Sequence, residues 1–160
     1  MRAQRIRGRD EFAEALALRV RVFVHEQGVD ESSERDALDS DESTVHCIVR
    51  GDDGNVLATG RLLAPAYDPS GDGNPHIGRV AVAAEARGTG AGRAVMEFLE
   101  AEALALYGSN GSVRVELSAQ TQAAAFYERL GYTIHGDEYL DEGIVHRDAF
   151  KDLQAARPLT

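Results

Sequence analysis

Residues 76–97 constrain the fold more than any other stretch. Ile77-Gly78-Arg79-Val80-Ala81-Val82 is a short apolar run of strand type, and Val95, Met96, Leu99, Ala103 and Leu106 recur at helical spacing. Between them lies Arg87-Gly88-Thr89-Gly90-Ala91-Gly92-Arg93, in which three glycines alternate with other residues. A strand-to-helix turn of this kind presents successive backbone N–H groups, unhindered by Cβ atoms, at the positive end of a helix dipole. It is predicted to hold an anion, with Arg87 and Arg93 offering guanidinium forks suited to phosphate oxygens. Val113-Arg114-Val115-Glu116-Leu117 then alternates as the next strand, so the centre of the sheet is a parallel crossover pair.

The flanking segments read as antiparallel additions to that centre. Ala3 to Arg7 suits a short first strand, and Asp10 suits the cap of a helix from Glu11 with Phe12, Ala15, Leu16, Val20 and Phe23 on one face. Asp30 to Glu42 carries seven acids against Arg35 alone, and a solvated loop or short helix is expected. Val45, Cys47 and Val49 alternate, Gly51 to Asn55 turns, and Val56 to Leu63 returns. Pro65 to Pro75 has loop chemistry throughout, and mobility is expected there. A short helix from Gln122 to Leu130 stops at Gly131, followed by strands near Tyr132–Ile134 and Ile144–Phe150. One mixed α/β (α+β) domain over residues 1–160 is expected, with six to seven strands and about four helices.

Charge narrows the function. A net charge of −10, from 27 acids against sixteen arginines and one lysine, disfavours a nucleic-acid binder. The surplus suits a cationic acceptor, and equally a solubility adaptation to salt. No apolar run approaches the roughly 20 residues of a membrane span, and Met1-Arg2-Ala3-Gln4-Arg5 leads into no signal-type segment, so a cytoplasmic protein without membrane partners is expected. Cys47, the single cysteine, alternates into a strand and reads as a buried, inert thiol. Histidines and acids lack metal-ligand spacing, and no serine sits in G-x-S-x-G, so neither a metal nor a hydrolytic triad is expected.

The glycine turn is not a Walker A loop, because Arg93-Ala94 follows Gly92 where Lys-Ser/Thr is needed, and neither G-x-G-x-x-G register closes. Arg87-Gly88-Thr89-Gly90-Ala91-Gly92 after a Val-Ala-Val strand instead resembles the [Q/R]-x-x-G-x-[G/A] pyrophosphate loop of the GNAT superfamily of N-acetyltransferases. About 35 residues later, Phe126-Tyr127-Glu128-Arg129-Leu130-Gly131-Tyr132 resembles that superfamily's closing F-Y-x-x-L-G-[FY] signature. Val22-Phe23-Val24, Glu26-Gln27, Ala119-Gln120 and Glu142-Gly143-Ile144 with His146 are similar to its ElaA-like branch.

The resemblance implies a GNAT-like acyl-CoA N-acyltransferase fold and a direct transfer from acetyl-CoA to a primary amine. Cofactor contacts would come from the backbone of Val80, Ala81 and Val82, the turn Arg87, Gly88, Thr89, Gly90, Ala91, Gly92 and Arg93, and Tyr127. Tyr127 matches the tyrosine that protonates the departing thiolate. Aminolysis also needs a base, because an ammonium is not nucleophilic, and His76, His146 and Glu26 are the candidates, with Glu116 a weaker one. Two other readings stay open: a CoA-binding sensor without catalysis, and a nucleotide-binding protein using the same loop. A homodimer through sheet edges or the last strands is compatible with the pattern.

Overall fold

The computed structural model describes residues 1–156. Its strands are β1 (Arg2–Arg5), β2 (Val45–Arg50), β3 (Val56–Leu63), β4 (His76–Val82), β5 (Ser112–Gln120), β6 (Thr133–Asp141) and β7 (Ile144–Gln154). They form one sheet in the order β1-β2-β3-β4-β5-β7-β6, antiparallel except where β4 meets β5. The helices are α1 (Arg9–Arg19), α2 (Glu31–Glu34), α3 (Ala91–Tyr107) and α4 (Ala124–Arg129). Both the mixed sheet and the central parallel step agree with the sequence reading. None of the helices described is long and apolar enough to cross a membrane.

The α3 helix buries Val95, Met96, Leu99 and Ala103 against a sheet face made of Val45, Cys47, Val49, Ala58, Leu62 and Ile77. Gly60 lies on that face because a Cβ there would fall 2.7 Å from Val95 Cγ1. Burial drives the Cys47 thiol up to about 12, so it stays an unreactive packing group.

The first helix and the acidic segment refine the sequence reading. The first helix begins at Arg9, capped by Gly8, because Glu11 Oε1 accepts from the Arg7 amide at 3.0 Å and leaves Asp10 inside the first turn. Its buried face is Ala15, Leu18, Arg19 and Val22, and the helix continues as a wider π-helical stretch, Val20–Glu26. The acidic segment forms the expected short helix, α2, but it is only partly solvated, since Glu34 and Asp39 are buried. Arg19, 2% exposed, donates to Glu34 Oε1 at 2.7 Å and to Asp39 Oδ1 and Oδ2 at 2.8 and 3.1 Å, drawing both acids into the interior. Arg61 joins from β3, bonding Asp36 at 2.6 and 2.9 Å and Asp39 at 2.9 Å.

Residues 65–75 form a largely exposed loop tied to the rest of the chain by several hydrogen bonds. Tyr67 donates to Asp41 Oδ2 at 2.7 Å, and Asp68 accepts from the amides of Ser70 and Asn74 at 3.0 and 2.9 Å. Pro75 is buried, and its carbonyl accepts from the Glu116 amide at 3.1 Å.

Candidate active site

The central strands part. β4 and β5 pair only at His76–Glu116 and Ile77–Leu117, although β4 continues to Val82 and β5 to Gln120. A bulge in β4 accompanies the parting: between the pairs Thr59–Ala81 and Arg61–Gly78, two residues of β4 face Gly60 alone, and Arg79 takes φ 52°. The Arg79 guanidinium reaches across to the Glu34 carbonyl at 3.3 Å and Asp36 Oδ2 at 3.4 Å, so the acid-rich segment braces the bulge. Beyond it, one edge of Val80–Val82 has no β5 partner, and backbone groups at such an edge demand one.

The wide end of the opening meets the glycine turn. Gly88 and Gly90 take φ 78° and 92°, a left-handed backbone that favours glycine. The first α3 bond runs from the Ala94 amide to the Gly90 carbonyl at 3.0 Å. The amides of Ala91, Gly92 and Arg93 therefore have no partner among the described residues and sit at the helix N-terminus. A Cβ on Gly92 would fall 3.1 Å from Phe126 Cζ and 3.2 Å from Val82 Cγ2, so this glycine lets α3 approach both β4 and α4. Thr89 Oγ1 donates to the Ala86 carbonyl at 2.5 Å and fixes the turn from inside. Arg87 donates to Glu26 Oε2 at 2.5 Å and to the Val82 carbonyl at 3.2 Å, whereas Arg93 pairs with Glu97 at 2.7 Å.

The cleft that runs from this turn to the apex of the opening encloses about 1700 Å³. Tyr127 lines it from α4, edge-on to Phe126 and Tyr132 with centroids 5.0 and 5.9 Å away. Its hydroxyl has no hydrogen-bond partner among the described residues, and burial pushes the phenol up to about 12, so it carries its proton at neutral pH.

The three candidate bases are well separated. His76 stands at the apex; burial lowers its basicity, and Nδ1 is buried without a partner. His146 pairs with Gln120, four residues along β5 from Glu116, or roughly 13 Å at strand rise. Its Nδ1 donates to the Ile144 carbonyl at 2.7 Å, which leaves Nε2 as the acceptor nitrogen, and its ring stacks on Tyr139. Glu26 is held by Arg87 at the glycine turn, remote from the apex. The structure therefore brings Tyr127, His76, His146 and the turn to one cleft, with Glu26 at its rim.

Several cleft residues had no role assigned from the sequence. Gln27 and Gln120 bond reciprocally across it at 2.8 and 3.3 Å, joining the end of the π-helical stretch to β5. Tyr139 donates to Asp148 at 2.7 Å and contacts Ser118 Oγ. The one available signal was the polar alternation Glu116, Ser118, Gln120 opposite buried Val115, Leu117 and Ala119.

A sheet opened between parallel strands, with an anion-receptive helix start at its wide end, is the architecture of an acyl-CoA-type acyltransferase. The chain belongs to the GNAT acetyltransferases: residues 10–151 match the family described as "Acetyltransferase (GNAT) domain". It is 33% identical over 153 residues to the Bacillus subtilis protein YjcF, described as an uncharacterized N-acetyltransferase, covering 95% of this chain and 100% of that one. Among solved structures, a Pseudomonas aeruginosa acyl-CoA N-acyltransferase superposes with a TM-score of 0.78 at 31% identity, covering 94% of this chain and 97% of the other. Escherichia coli ElaA shares the fold, with a TM-score of 0.79 at 22% identity over 94% of this chain and 99% of ElaA.

Proposed function

We propose that this GNAT enzyme transfers the acetyl group of acetyl-CoA to a cationic primary amine within a ternary complex. The observation that carries the reading is the opening between β4 and β5, which leads from the glycine turn to His76. The turn fits a pyrophosphate through the free amides of Ala91, Gly92 and Arg93 and the Arg87 guanidinium. The unpaired edge of Val80 to Val82 fits the two amides of a pantetheine arm, and a backbone N–H there would stabilise the oxyanion of the tetrahedral intermediate.

Proton traffic is divided between two side chains. Tyr127, protonated and buried, is suited to give its proton to the departing thiolate. His76, neutral through burial, is suited to take a proton from the ammonium at the apex. The preference for a cationic acceptor rests on cleft carboxylates without a cationic partner, namely Asp72, Asp141, Glu142 and Asp148, none of which forms an ion pair among the described residues. Such a field draws ammonium groups in and orients them.

Calorimetric titration with acetyl-CoA, CoA and ATP tests the cofactor, and thiol release over a panel of monoamines, diamines and neutral amines tests the acceptor. Acetyl-CoA binding that Gly90→Asp and Arg87→Ala both weaken, with turnover favouring di- and polycationic amines, is expected. No binding of CoA or acetyl-CoA by the folded chain refutes the reading.

A further inference from the structure

At the apex, Asp68, His76 and Glu116 bring one ring nitrogen and two carboxylate oxygens within 4.8 Å of one another. Ser70 Oγ lies 2.8 Å from Asp68 Oδ1 and 2.8 Å from Glu116 Oε2, and it also accepts from the Asp72 amide at 3.2 Å. A serine hydroxyl has a single proton to donate. Both carboxyl contacts are hydrogen bonds only if one carboxyl is itself protonated and donates to Ser70. The remaining contacts say which. Asp68 already accepts from the amides of Ser70 and Asn74, whereas Glu116 has one further donor, Asn74 Nδ2 at 3.0 Å.

We propose that Ser70 joins Glu116 and Asp68 into a pair holding one proton between two carboxyls, and that this pair receives the proton His76 removes from the acceptor amine. The hydrogen-bond order is Glu116 O–H to Ser70 Oγ, and Ser70 O–H to Asp68 Oδ1. Burial and neighbouring charge agree with that order. Burial raises Glu116 above the ordinary glutamic range, with Asp68 adding to the rise. Asp68 is held below its ordinary range, because the amides of Asn74 and Ser70 outweigh its burial. Other charges face the group as well: Arg61 from β3 and Asp148 from β7 act on His76, and Arg114 of β5 acts on Glu116 and on Asp72 of the same loop.

The proton's destination rests on the acetyltransfer reading; the carboxyl pair itself does not. An ammonium acceptor loses one proton to His76 before its lone pair attacks the thioester carbonyl. As the C–S bond breaks, the sulfur takes a proton from Tyr127, and the nitrogen's second proton restores the tyrosine. The net reaction therefore releases one proton, the one on His76. The His76 ring nitrogen and the Asp68 carboxylate lie within 4.8 Å, a gap that one bridging water would span. As that proton arrives at Asp68, Glu116 gives up its own to solvent past exposed Ser70 and Asp72, so the pair takes in one proton, releases one and keeps its charge of −1.

Carbon-13 NMR titration of the side-chain carboxyls in the full chain tests the pair, with Glu116→Gln identifying the signal. The expected result is a Glu116 carboxyl still protonated above the ordinary glutamic range, linked to Asp68 and uncoupled from it by Ser70→Ala. Independent titration of both acids in their ordinary ranges overturns the pair. Glu116→Gln keeps the volume and a donor to Ser70 but moves no proton. It is expected to lower kcat about tenfold or more, with acetyl-CoA Kd within twofold of wild type, and Ser70→Ala is expected to shift the pH dependence of kcat/KM. Unchanged kcat and an unchanged pH profile overturn the relay. Should wild type release no thiol with any amine, the acetyltransfer reading and the proton's destination fail together, while the titration alone decides the carboxyl pair.

Discussion

Replacing Arg19 with methionine removes a guanidinium from the interior while keeping most of its aliphatic bulk. Four hydrogen bonds disappear, two of them to Asp39, one to Glu34 Oε1 and one to the Glu34 carbonyl at 2.7 Å. Their nominal sum at about 1.5–3 kcal/mol each overshoots, because removing Arg19 also relieves its own desolvation. The cost that remains is two buried acids short of a counterion. Breaking a buried pair from one side costs about 3–5 kcal/mol, which for a chain of this size lowers Tm by roughly 6–20 °C.

The pH dependence separates this explanation from lost packing. Glu34 is raised in the folded chain by burial, against the opposing Arg19 bond, and loss of Arg19 raises it further. A group raised on folding contributes stability below its unfolded pKa and loses it as pH climbs through the folded value. Asp39 is held well below the carboxylate range because its Arg19 bonds and charge outweigh its burial, and it contributes stability above its unfolded pKa. That contribution shrinks in the variant. The Asp39 loss is already complete by about pH 5, whereas the Glu34 effect grows as pH rises, so the deficit is larger at pH 7 than at pH 5. Urea unfolding of wild type and Arg19→Met at the two values measures it, with Arg21→Met as control, since the Arg21–Glu85 pair is more than half exposed and screened by solvent. A loss below about 1 kcal/mol, or one that does not change with pH, refutes the reasoning.

Tyr127→Phe should lower kcat by about a hundredfold or more and leave acetyl-CoA affinity unchanged in calorimetry. Because burial places the phenol at about 12, wild-type activity should show no tyrosine-dependent alkaline fall below pH 10. Glu26→Gln frees Arg87 from a carboxylate that competes with pyrophosphate; acetyl-CoA Kd should fall by up to about fivefold, the equivalent of an exposed pair, and titration at rising salt should shrink the difference. Gly60→Ala forces a Cβ to 2.7 Å from Val95 Cγ1 and should cost about 1–3 kcal/mol in thermal unfolding, with Val95→Ala restoring part of the loss.

The parts of the fold that were legible in the sequence are those written as periodicity or turn chemistry. The strand at Ile77–Val82, the helix carrying Val95, Met96 and Leu99, and the glycine turn between them depend on residues near in sequence, and the structure has them where they were expected. Arg19 was not legible as a core residue. Its burial depends on Glu34 and Asp39, 15 and 20 positions away, and no hydrophobic pattern encodes a partner at that distance. The same limit applies to the apex. Asp68-Pro69-Ser70 reads as an ordinary turn, and only the tertiary placement of Glu116 gives its hydroxyl two carboxyl neighbours. The edge position of β6 follows from β5 choosing β7 as its partner, a choice that alternation in three similar strands does not specify.

The two-rung seam between β4 and β5 divides the sheet into two leaves. One contains β1 to β4, the other β5, β7 and β6, and their strand-to-strand connection is His76–Glu116 and Ile77–Leu117. The α3 helix, which contacts β2, β3, β4 and β5, acts as a splint across the seam. Mechanically this is a hinge with a short pin, and a ligand seated between the leaves works as a wedge and a clasp at once, filling the gap while fastening both sides. Ligand held at a hundred times its Kd would add about 2.7 kcal/mol to the resistance of the chain to unfolding. The leaves should then be hardest to part when the enzyme is charged and loosest just after product has left.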